Sequence, residues 1–365
     1  TPGHTLESST FLLIDEKGKN HAIFSGDTLF LGDVGRPDLA IKSDLTKEDL
    51  AGMLYHSLRD KIMPLADDVI VYPAHGAGSA CGKNLSKETV GILGEQKQTN
   101  YALRADMSEE DFVKEVLDGM PPPPQYFAKN AMMNKSGYDP FEIVLKKGNT
   151  PLEIDDFEAI ANHESALVLD VRPEHEFITG HIPNSIFIGI HGAFAPWVGA
   201  LIPDLKQPIL LVTPEGKEKE TVTRLSRVGY DNTLGYLKGG FANWKASGKD
   251  VDILDSISAD EFTHKSNVQN LNILDVRKSG EHQSMYLNLK GVENFPLDFI
   301  NDNLHTIDKT KTYHIHCAGG YRSVIAASIL KARGFFNLVN IEGGFEELKK
   351  TGVQMSDFVC PSTIK

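Results

Sequence analysis

The feature that most constrains the fold of this chain is an internal repeat in its C-terminal part. "LVLDVR" at 167–172 corresponds to "NILDVR" at 272–277, and "VGYDNTLGYLKGGFANW" at 228–244 corresponds to "RGFFNLVNIEGGFEEL" at 333–348. Both pairs are offset by 104 or 105 residues, whereas solenoid repeats recur every 20 to 50 residues or so. The repeat therefore predicts two copies of one domain. Apolar strands alternate with helical stretches in each copy, which predicts α/β domains with parallel sheets.

The chain has 365 residues, too many for one ordinary domain. We predict a first domain with a linker at 1–145, then domains at 146–252 and 253–365. The proline run at 121–124 is incompatible with a helix or a central strand. Before the repeat, the pattern predicts strands at 10–14, 21–26 and 68–72, a helix to Ile62 opened by a Thr46–Asp49 capping box, helical stretches at 86–103 and 108–118, and a linker or tail at 121–150.

Charge and cysteine content exclude several classes of protein. The net charge of −13 argues against a general nucleic-acid or membrane-surface binder. No apolar run approaches the ~20 residues that span a bilayer. The three cysteines, Cys81, Cys317 and Cys360, are too few for a disulfide framework and form no CxxC metal knuckle. We therefore expect a cytoplasmic protein with free thiols, and we expect it to form a homo-oligomer.

The stretch "HIHCAGGYRS" at 314–323 places a cysteine between a strand and a helix. Loop N–H groups and the helix N-terminus stabilise a thiolate there. Gly319 and Gly320 permit a tight turn, Arg322 adds a fixed charge, and Ser323 can hydrogen-bond the sulfur. We interpret Cys317 as a nucleophile that carries a thiolate or a persulfide. The alternative is a buried, inert cysteine.

The loop, the "LDVR" strand and the "GGF" turn resemble the rhodanese family of sulfurtransferases over most of residues 255–350. The resemblance implies that Cys317 accepts a sulfane sulfur and passes it to an acceptor, with Arg322 and the loop amides holding the sulfur or an anionic substrate. Asp275 and Arg277 would form a structural ion pair. Cysteine phosphatases place five residues between cysteine and arginine, whereas this loop has four, so sulfur transfer is favoured over dephosphorylation.

The middle copy also resembles rhodanese, but it departs from the pattern at this loop. It reads "LVTPEGKEKET", with Val212 or Thr213 at the position of Cys317, and residues 150–255 contain no cysteine. This copy is therefore predicted to be a structural or docking domain. Asp170, Arg172 and the Gly239-Gly240 turn are then residues of the fold.

Three loops of the first domain resemble the later metal-binding motifs of the metallo-β-lactamase superfamily. They are "TPGH", "FSGDTLF" and "YPAHGAGS", which carry His4, Asp27 and His75. The resemblance implies part of an αββα sandwich. The first motif of that superfamily, HxHxDH, is absent, so we expect this chain to be a fragment of a longer protein that holds further ligands upstream.

"GDVGRPDL" at 32–39 together with the rhodanese copies resembles persulfide dioxygenases fused to rhodanese domains. The resemblance implies one iron(II) held by two histidines and one aspartate. His4 and Asp27 would be two of these ligands, and His75 would line the second metal position. Arg36 and Asp38 either shape a thiol-substrate pocket or form a local salt bridge. Cys81 either exchanges sulfur near the metal or is a bystander, and we expect Cys360 to be inert.

The resulting prediction is oxidation of a low-molecular-weight persulfide by O₂ to sulfite, with Cys317 moving a sulfane sulfur to sulfite to give thiosulfate, or the reverse. The biological role would be sulfide or persulfide detoxification. Two alternatives stay open. One is a zinc-dependent thioester hydrolase of the glyoxalase II type with rhodanese domains. The other is a sulfur carrier or scaffold whose first domain does not oxidise.

Overall fold

The computed structural model describes residues 1–38, 45–76, 79, 81–82, 85–118, 120 and 127–359. The proline run at 121–124 and Cys360 lie outside these residues. The chain divides into two compact units, Thr1–Ala131 and Met132–Lys365. Among the described helices, none combines the length and the apolar character needed to cross a membrane.

The first unit contains a four-stranded sheet in the order β1-β2-β3-β4. The β1 and β2 strands are antiparallel, β2 and β3 are parallel, and β3 and β4 are antiparallel. Its elements are β1 (Phe11–Ile14), β2 (Asn20–Gly26), α1 (Lys47–Ser57), β3 (Ile70–Pro73), β4 (Gly91–Ile92), α2 (Leu93–Thr99) and α3 (Glu109–Leu117).

One face of this sheet is covered by helices, and the other carries exposed apolar side chains. Ile23 and Val71 pack with Leu54 of α1 and Phe112 of α3 in a buried cluster. On the other face the exposed ring of Phe24 stacks on Tyr72 at 5.2 Å between centroids. Side chains alternate between faces along a strand, so the pattern is that of a sheet with one helical layer. This is one helix–sheet half of an αββα sandwich, as predicted.

Two predicted helices of this unit differ in detail. The Thr46–Asp49 capping box is present, but the predicted helix ends as a π-helical turn at Leu58–Ile62. The stretch predicted as helical at 86–103 forms α2 only from Leu93, and a 3₁₀ turn follows at Tyr101–Leu103. Gly91–Ile92 instead pair with β3 at the sheet edge, a contact between distant segments that local periodicity does not contain.

The predicted linker or tail carries helices in its described part. They are α4 (Phe127–Ser136) and α5 (Phe141–Gly148), and α5 packs against the helix Glu218–Ser226 and the strand Thr233–Leu237 of the second unit. The described part of the predicted linker or tail is therefore largely helical. The predicted domain boundaries at 145/146 and 252/253 remain predictions.

The second unit contains two parallel five-stranded sheets with the same strand order, β5-β9-β8-β6-β7 and β10-β14-β13-β11-β12. The repeat thus folds as two copies of one α/β architecture, as predicted. The first copy comprises β5 (Pro151–Leu152), α6 (Ile154–His163), β6 (Leu167–Asp170), α7 (Glu174–Thr179), β7 (Ile186–Phe187), α8 (Phe194–Leu201), β8 (Ile209–Val212), α9 (Glu218–Ser226), β9 (Thr233–Leu237) and α10 (Gly240–Ala246). The second comprises β10 (Ser256–Ile257), α11 (Ala259–Val268), β11 (Asn272–Asp275), α12 (Ser279–Ser284), β12 (Val292–Asn294), α13 (Ile300–Asn303), β13 (Tyr313–His316), α14 (Tyr321–Ala332), β14 (Leu338–Ile341) and α15 (Gly344–Leu348).

The helix that follows the cysteine loop, α14, is buried along most of its length. Residues 323–330 are all buried. The helix lies against β13 and β14 of its own copy and against β7 of the other copy. The backbone N–H of Phe187 in β7 donates to Ser328 Oγ at 3.0 Å. A helix enclosed on several sides is apolar all round rather than amphipathic, which explains the sequence "VIAASIL".

Candidate metal centre and cysteine loop

The predicted metal ligands of the first unit converge at one end of its sheet. Asp27 follows β2 and His75 follows β3, and these parallel strands end side by side. His4 comes from the segment before β1. Its Nε2 lies 3.1 Å from Asp27 Oδ2, while His75 Nε2 lies 3.4 Å from Asp27 Oδ1. The carboxylate of Asp27 is therefore placed between two imidazoles.

The ring of His4 is oriented by a backbone carbonyl. Its Nδ1 lies 2.8 Å from the carbonyl oxygen of Arg36, and because a carbonyl only accepts, Nδ1 carries the proton. In the neutral ring, Nε2 then directs a lone pair at Asp27. Two such acceptors face each other stably only with a cation or a proton between them. Burial by itself would raise the pKa of Asp27, but His4 and His75 outweigh it and lower that pKa.

This donor set fits a divalent metal ion. A histidine that donates Nδ1–H to a carbonyl and presents Nε2 is the usual arrangement of a metal-ligating histidine. Cys81 also joins the group, because its Sγ and ligand atoms of Asp27 and His75 all lie within 4.8 Å of one another. Burial raises the pKa of the Cys81 thiol, and the charge of Asp27 adds to that effect. The site thus offers nitrogen, oxygen and sulfur donors.

Arg36 and Asp38 form an ion pair beside this centre. Nε of Arg36 donates to Asp38 Oδ1 and Nη2 donates to Asp38 Oδ2, both at 2.7 Å. The Arg36 side chain is buried. Its backbone N–H donates to the carbonyl of Cys81 at 2.9 Å, and its own carbonyl holds His4. The local salt bridge is present, and the role in substrate binding remains a prediction.

In the second unit, Cys317 follows β13 and is buried at the mouth of α14. The Gly320 N–H donates to Sγ at 3.1 Å. Sγ lies 3.7 Å from Ser323 Oγ, and that hydroxyl is 2.8 Å from Asn340 Oδ1. The partial positive charge at the N-terminus of α14 and the backbone N–H that donates to the sulfur both favour a negatively charged sulfur there.

Arg322 does not lie alone beside the sulfur. Its Nη1 and Nη2 donate to the two carboxylate oxygens of Glu281 at 2.6 and 2.7 Å. Burial would raise the pKa of Glu281, but this bidentate contact outweighs it and lowers that pKa. Glu281 and Ala318 border a cavity of about 400 Å³ whose lining also includes Phe345 and Phe358. The cavity therefore adjoins the loop at Ala318.

The Asp275–Arg277 ion pair is present in the second copy, and its equivalent is present in the first. Arg277 Nε donates to Asp275 Oδ1 at 2.9 Å and the guanidinium covers the ring of Phe345 at 3.8 Å. Arg172 Nε donates to Asp170 Oδ1 at 3.0 Å in the same way. The pair is therefore present in the copy without the cysteine as well, which is consistent with the predicted structural ion pair.

Sheet register decides which residue replaces Cys317 in the first copy. Asp170 pairs with Val212 and Asp275 pairs with His316, so Thr213 occupies the position of Cys317. Thr213 Oγ1 lies 3.3 Å from Glu218 Oε1. This copy thus carries a hydroxyl and a carboxylate at the place where the other carries a thiol.

Several residues of the cysteine site escaped sequence reasoning. Glu281 has a capping position in α12, where it accepts the N–H of Lys278 at 3.0 Å, but nothing local indicates its pairing with Arg322. His282 Nδ1 lies 2.8 Å from Asp275 Oδ2. Tyr321 donates its hydroxyl to the carbonyl of Gly189 in the other copy at 2.7 Å. The Arg322–Glu281 and Tyr321–Gly189 contacts join segments that are 41 and 132 residues apart, so local periodicity gives no signal for them.

The family of the chain follows from comparison with known proteins. A profile of the rhodanese-like domain matches residues 153–247 and 258–351, more than half of the chain. The chain therefore belongs to the rhodanese-like domain family. The crystal structure of a metallo-β-lactamase from Staphylococcus aureus matches with a TM-score of 0.55 and 32% identity, over 65% of this chain and 66% of that chain. The protein is a fusion of a metallo-β-lactamase-fold part with two rhodanese-like domains.

Curated relatives match the chain over shorter stretches. Persulfide dioxygenase ETHE1, mitochondrial, of Homo sapiens is 33% identical over 114 residues, 31% of this chain and 37% of that protein. Hydroxyacylglutathione hydrolase GloC of Haemophilus influenzae is 33% identical over 82 residues, 22% of this chain and 34% of that protein. The chain spans between 37% and 41% of the length of the human, mouse and cattle ETHE1 proteins.

Proposed function

We propose that this protein oxidises a low-molecular-weight persulfide, RSSH, with O₂ and water to the thiol RSH and sulfite, and that Cys317 transfers sulfane sulfur between persulfide, sulfite and thiosulfate. The observation that carries the proposal is the cysteine loop, in which the Gly320 N–H donates to Sγ of a buried thiol at 3.1 Å. Similarity to persulfide dioxygenase ETHE1 supports the oxidation step. We place the protein in a reducing cytoplasm, where its thiols stay free.

Cys317 acts as the nucleophile of the transfer step. Its thiolate attacks the outer sulfur of RSSH, the S–S bond breaks, and the thiolate RS⁻ leaves with the electron pair of that bond and takes up a proton to give RSH. Sulfite then attacks the outer sulfur of the Cys317 persulfide, which gives thiosulfate and restores the thiolate. The Gly320 N–H stabilises the negative sulfur at both stages. Arg322, held by Glu281, keeps a positive charge at the helix mouth.

His4 and Asp27 would hold iron(II). Iron(II) when bound supplies the activation of O₂ that organic residues lack. Within this chain, the Arg36 carbonyl fixes the ring of His4, and Asp27 supplies the negative charge of the ligand set. His75 and Cys81 line the same centre, and Cys81 would exchange sulfur with a sulfur-containing substrate there.

A second candidate function is zinc-dependent thioester hydrolysis. Similarity to hydroxyacylglutathione hydrolase GloC favours it, as does the position of Asp27 between His4 and His75, since a carboxylate between two ligand sets suits a pair of metal ions. A non-oxidising sulfur carrier is the third possibility, and it relies on Cys317 alone.

The test is O₂ uptake by the full-length natural protein, loaded with iron(II) and given glutathione persulfide, with sulfite and thiosulfate quantified. We expect O₂ uptake with thiosulfate formed, and a shift to sulfite in Cys317→Ser. Thr213→Ser, at the equivalent position of the other copy, is the matched control and should leave the products unchanged. Sulfur transfer through Cys317 without O₂ uptake would refute the dioxygenase, and hydrolysis of a glutathione thioester by the zinc-loaded protein would support the second candidate.

A further inference from the structure

A side chain of the cysteine loop, that of Tyr321, contacts the cysteine-free copy. Tyr321 is the residue between Gly320 and Arg322 and the first residue of α14. Its hydroxyl donates to the carbonyl of Gly189 at 2.7 Å. Its ring meets the ring of Phe187 edge-on, with 5.7 Å between centroids. A residue of the loop is therefore docked on the other copy.

The surface that receives Tyr321 lacks side chains where the ring lies. A Cβ on Gly192 would come within 2.2 Å of Tyr321 Cζ, and a Cβ on Gly189 within 3.1 Å of Tyr321 Cε2. Neither glycine has a positive φ, so both positions suit other residues in backbone terms. Gly192 leaves space for the Tyr321 ring, whereas Gly189 leaves space for the rings of both Phe187 and Tyr321, since a Cβ there would also come within 2.9 Å of Phe187 Cζ.

This surface is anchored to both copies. Arg224 of α9 donates to the carbonyl of Ile190 at 2.8 Å. The Phe187 N–H donates to Ser328 of α14 at 3.0 Å, two turns along the helix that Tyr321 begins. Phe187 itself is fully buried. A Cβ at Gly192 would meet the far end of the Tyr321 side chain, so the ring would leave its contacts with Phe187 and Gly189, and the loop would lose this anchor.

The backbone of Tyr321 is continuous with the group that holds the sulfur. Gly320 directly precedes it, and the Gly320 N–H donates to Cys317 Sγ. A shift of Tyr321 thus rotates or displaces the peptide that positions this donor. Catalytic groups misplaced by about 1 Å cost on the order of a hundredfold in rate.

We propose that the cysteine-free copy positions the sulfur-transfer loop of the other copy. Phe187, Gly189 and Gly192 form a socket, and Tyr321 is a positioning residue that holds the Gly320 N–H at the sulfur. The proposal deepens the sulfur-transfer part of the proposed function and rests on it. It gives the copy without a cysteine a defined task in the reaction.

The test compares Gly192→Ala and Tyr321→Phe with Asn301→Ala in the full chain. Asn301 makes another hydrogen bond between the copies, to the carbonyl of Leu201 at 3.0 Å, and serves as the matched interface control. One readout is the rate of Cys317 alkylation by iodoacetamide against pH, followed on the Cys317 peptide by mass spectrometry. The other is kcat and KM for sulfur transfer from thiosulfate to cyanide.

We expect Gly192→Ala to move the alkylation midpoint to higher pH and to lower kcat by about tenfold or more. Tyr321→Phe keeps the ring and should shift both readouts less, in the same direction. Asn301→Ala should change neither. In a Tyr321→Ala background, Gly192→Ala should have no further effect, because the ring it displaces is gone.

Two results would overturn the proposal. One is an unchanged alkylation midpoint in a folded Gly192→Ala variant. The other is a Gly192→Ala effect of equal size with and without the Tyr321 ring. If the unmodified protein transfers no sulfur, the proposed function is refuted. The socket can still be tested in that case, because alkylation of Cys317 needs no sulfur donor.

Discussion

Gly344 and Gly240 offer a matched pair of substitutions in one chain. Both begin a helix after the last long strand of their copy, with φ of +58° and +61°. A Cβ on Gly344 would lie 2.5 Å from the carbonyl oxygen of Cys317 and 2.8 Å from that of Ala318. A Cβ on Gly240 would have its nearest neighbour at 3.4 Å, the carbonyl oxygen of Thr213. The two alanine variants therefore have the same backbone strain, but only Gly344→Ala places its Cβ too close to the carbonyl oxygens of the neighbouring loop.

The expected difference in stability follows from the contacts at risk. Left-handed backbone costs alanine about 1 kcal/mol at either position. At Gly344 the loop must also retreat, which strains the hydrogen bonds from Phe345 N–H to the Cys317 carbonyl (2.7 Å) and from Glu346 N–H to the Ala318 carbonyl (3.0 Å). At about 1 kcal/mol each, their loss makes Gly344→Ala less stable than Gly240→Ala by about 2 kcal/mol.

The assay is urea unfolding of both variants, followed by circular dichroism, with sulfur transfer from thiosulfate to cyanide measured in parallel. Gly344→Ala should lower the unfolding midpoint more and should also lower kcat, since the displaced carbonyls belong to Cys317 and its neighbour. Gly240→Ala should keep kcat. Equal unfolding free energies within about 0.5 kcal/mol, together with equal kcat, would refute the argument that Gly344 is required by its approach to the loop.

Three further predictions rest on charges and ligands. Burial lowers the pKa of His181 to about 4, so the unfolded chain binds a proton at this residue more tightly than the folded chain does. The contribution of His181 to the free energy of unfolding is therefore complete above about pH 6.5, and it falls by about 3 kcal/mol as the pH drops toward 4. Urea midpoints against pH should show this fall reduced in His181→Gln, and an unchanged pH dependence would contradict it. Thr213→Cys in a Cys317→Ser background should form no persulfide on mass spectrometry, because Glu218 lies beside that position; a persulfide there would contradict the electrostatic argument. Asp27→Asn in the full-length natural protein should weaken iron(II) binding by about tenfold or more in a metal titration, whereas the exposed Asp15→Asn should not, and equal affinities would remove Asp27 from the ligand set.

Local patterns were sufficient for much of the fold. The repeated strands and the glycine turns predicted two parallel α/β copies, and both formed with the same strand order. The Thr46–Asp49 capping box was readable because its partners are three residues apart. Prediction was wrong at 86–92 within the expected helical stretch, where pairing of Gly91–Ile92 with β3 outweighs local helical preference.

The sequence by itself determined the chemistry that is available: a cysteine at a strand–loop–helix junction, one copy without it, and histidine and aspartate on three loops. Those features depend on residue types and on short spacings along the chain, and both can be read directly from the sequence. Only the tertiary structure decided that Thr213 replaces Cys317, that Glu281 holds Arg322, and that Tyr321 docks on the other copy. Each of these depends on segments brought together by burial of apolar surface and by sheet register. Such contacts lie dozens of residues apart in sequence and leave no local pattern.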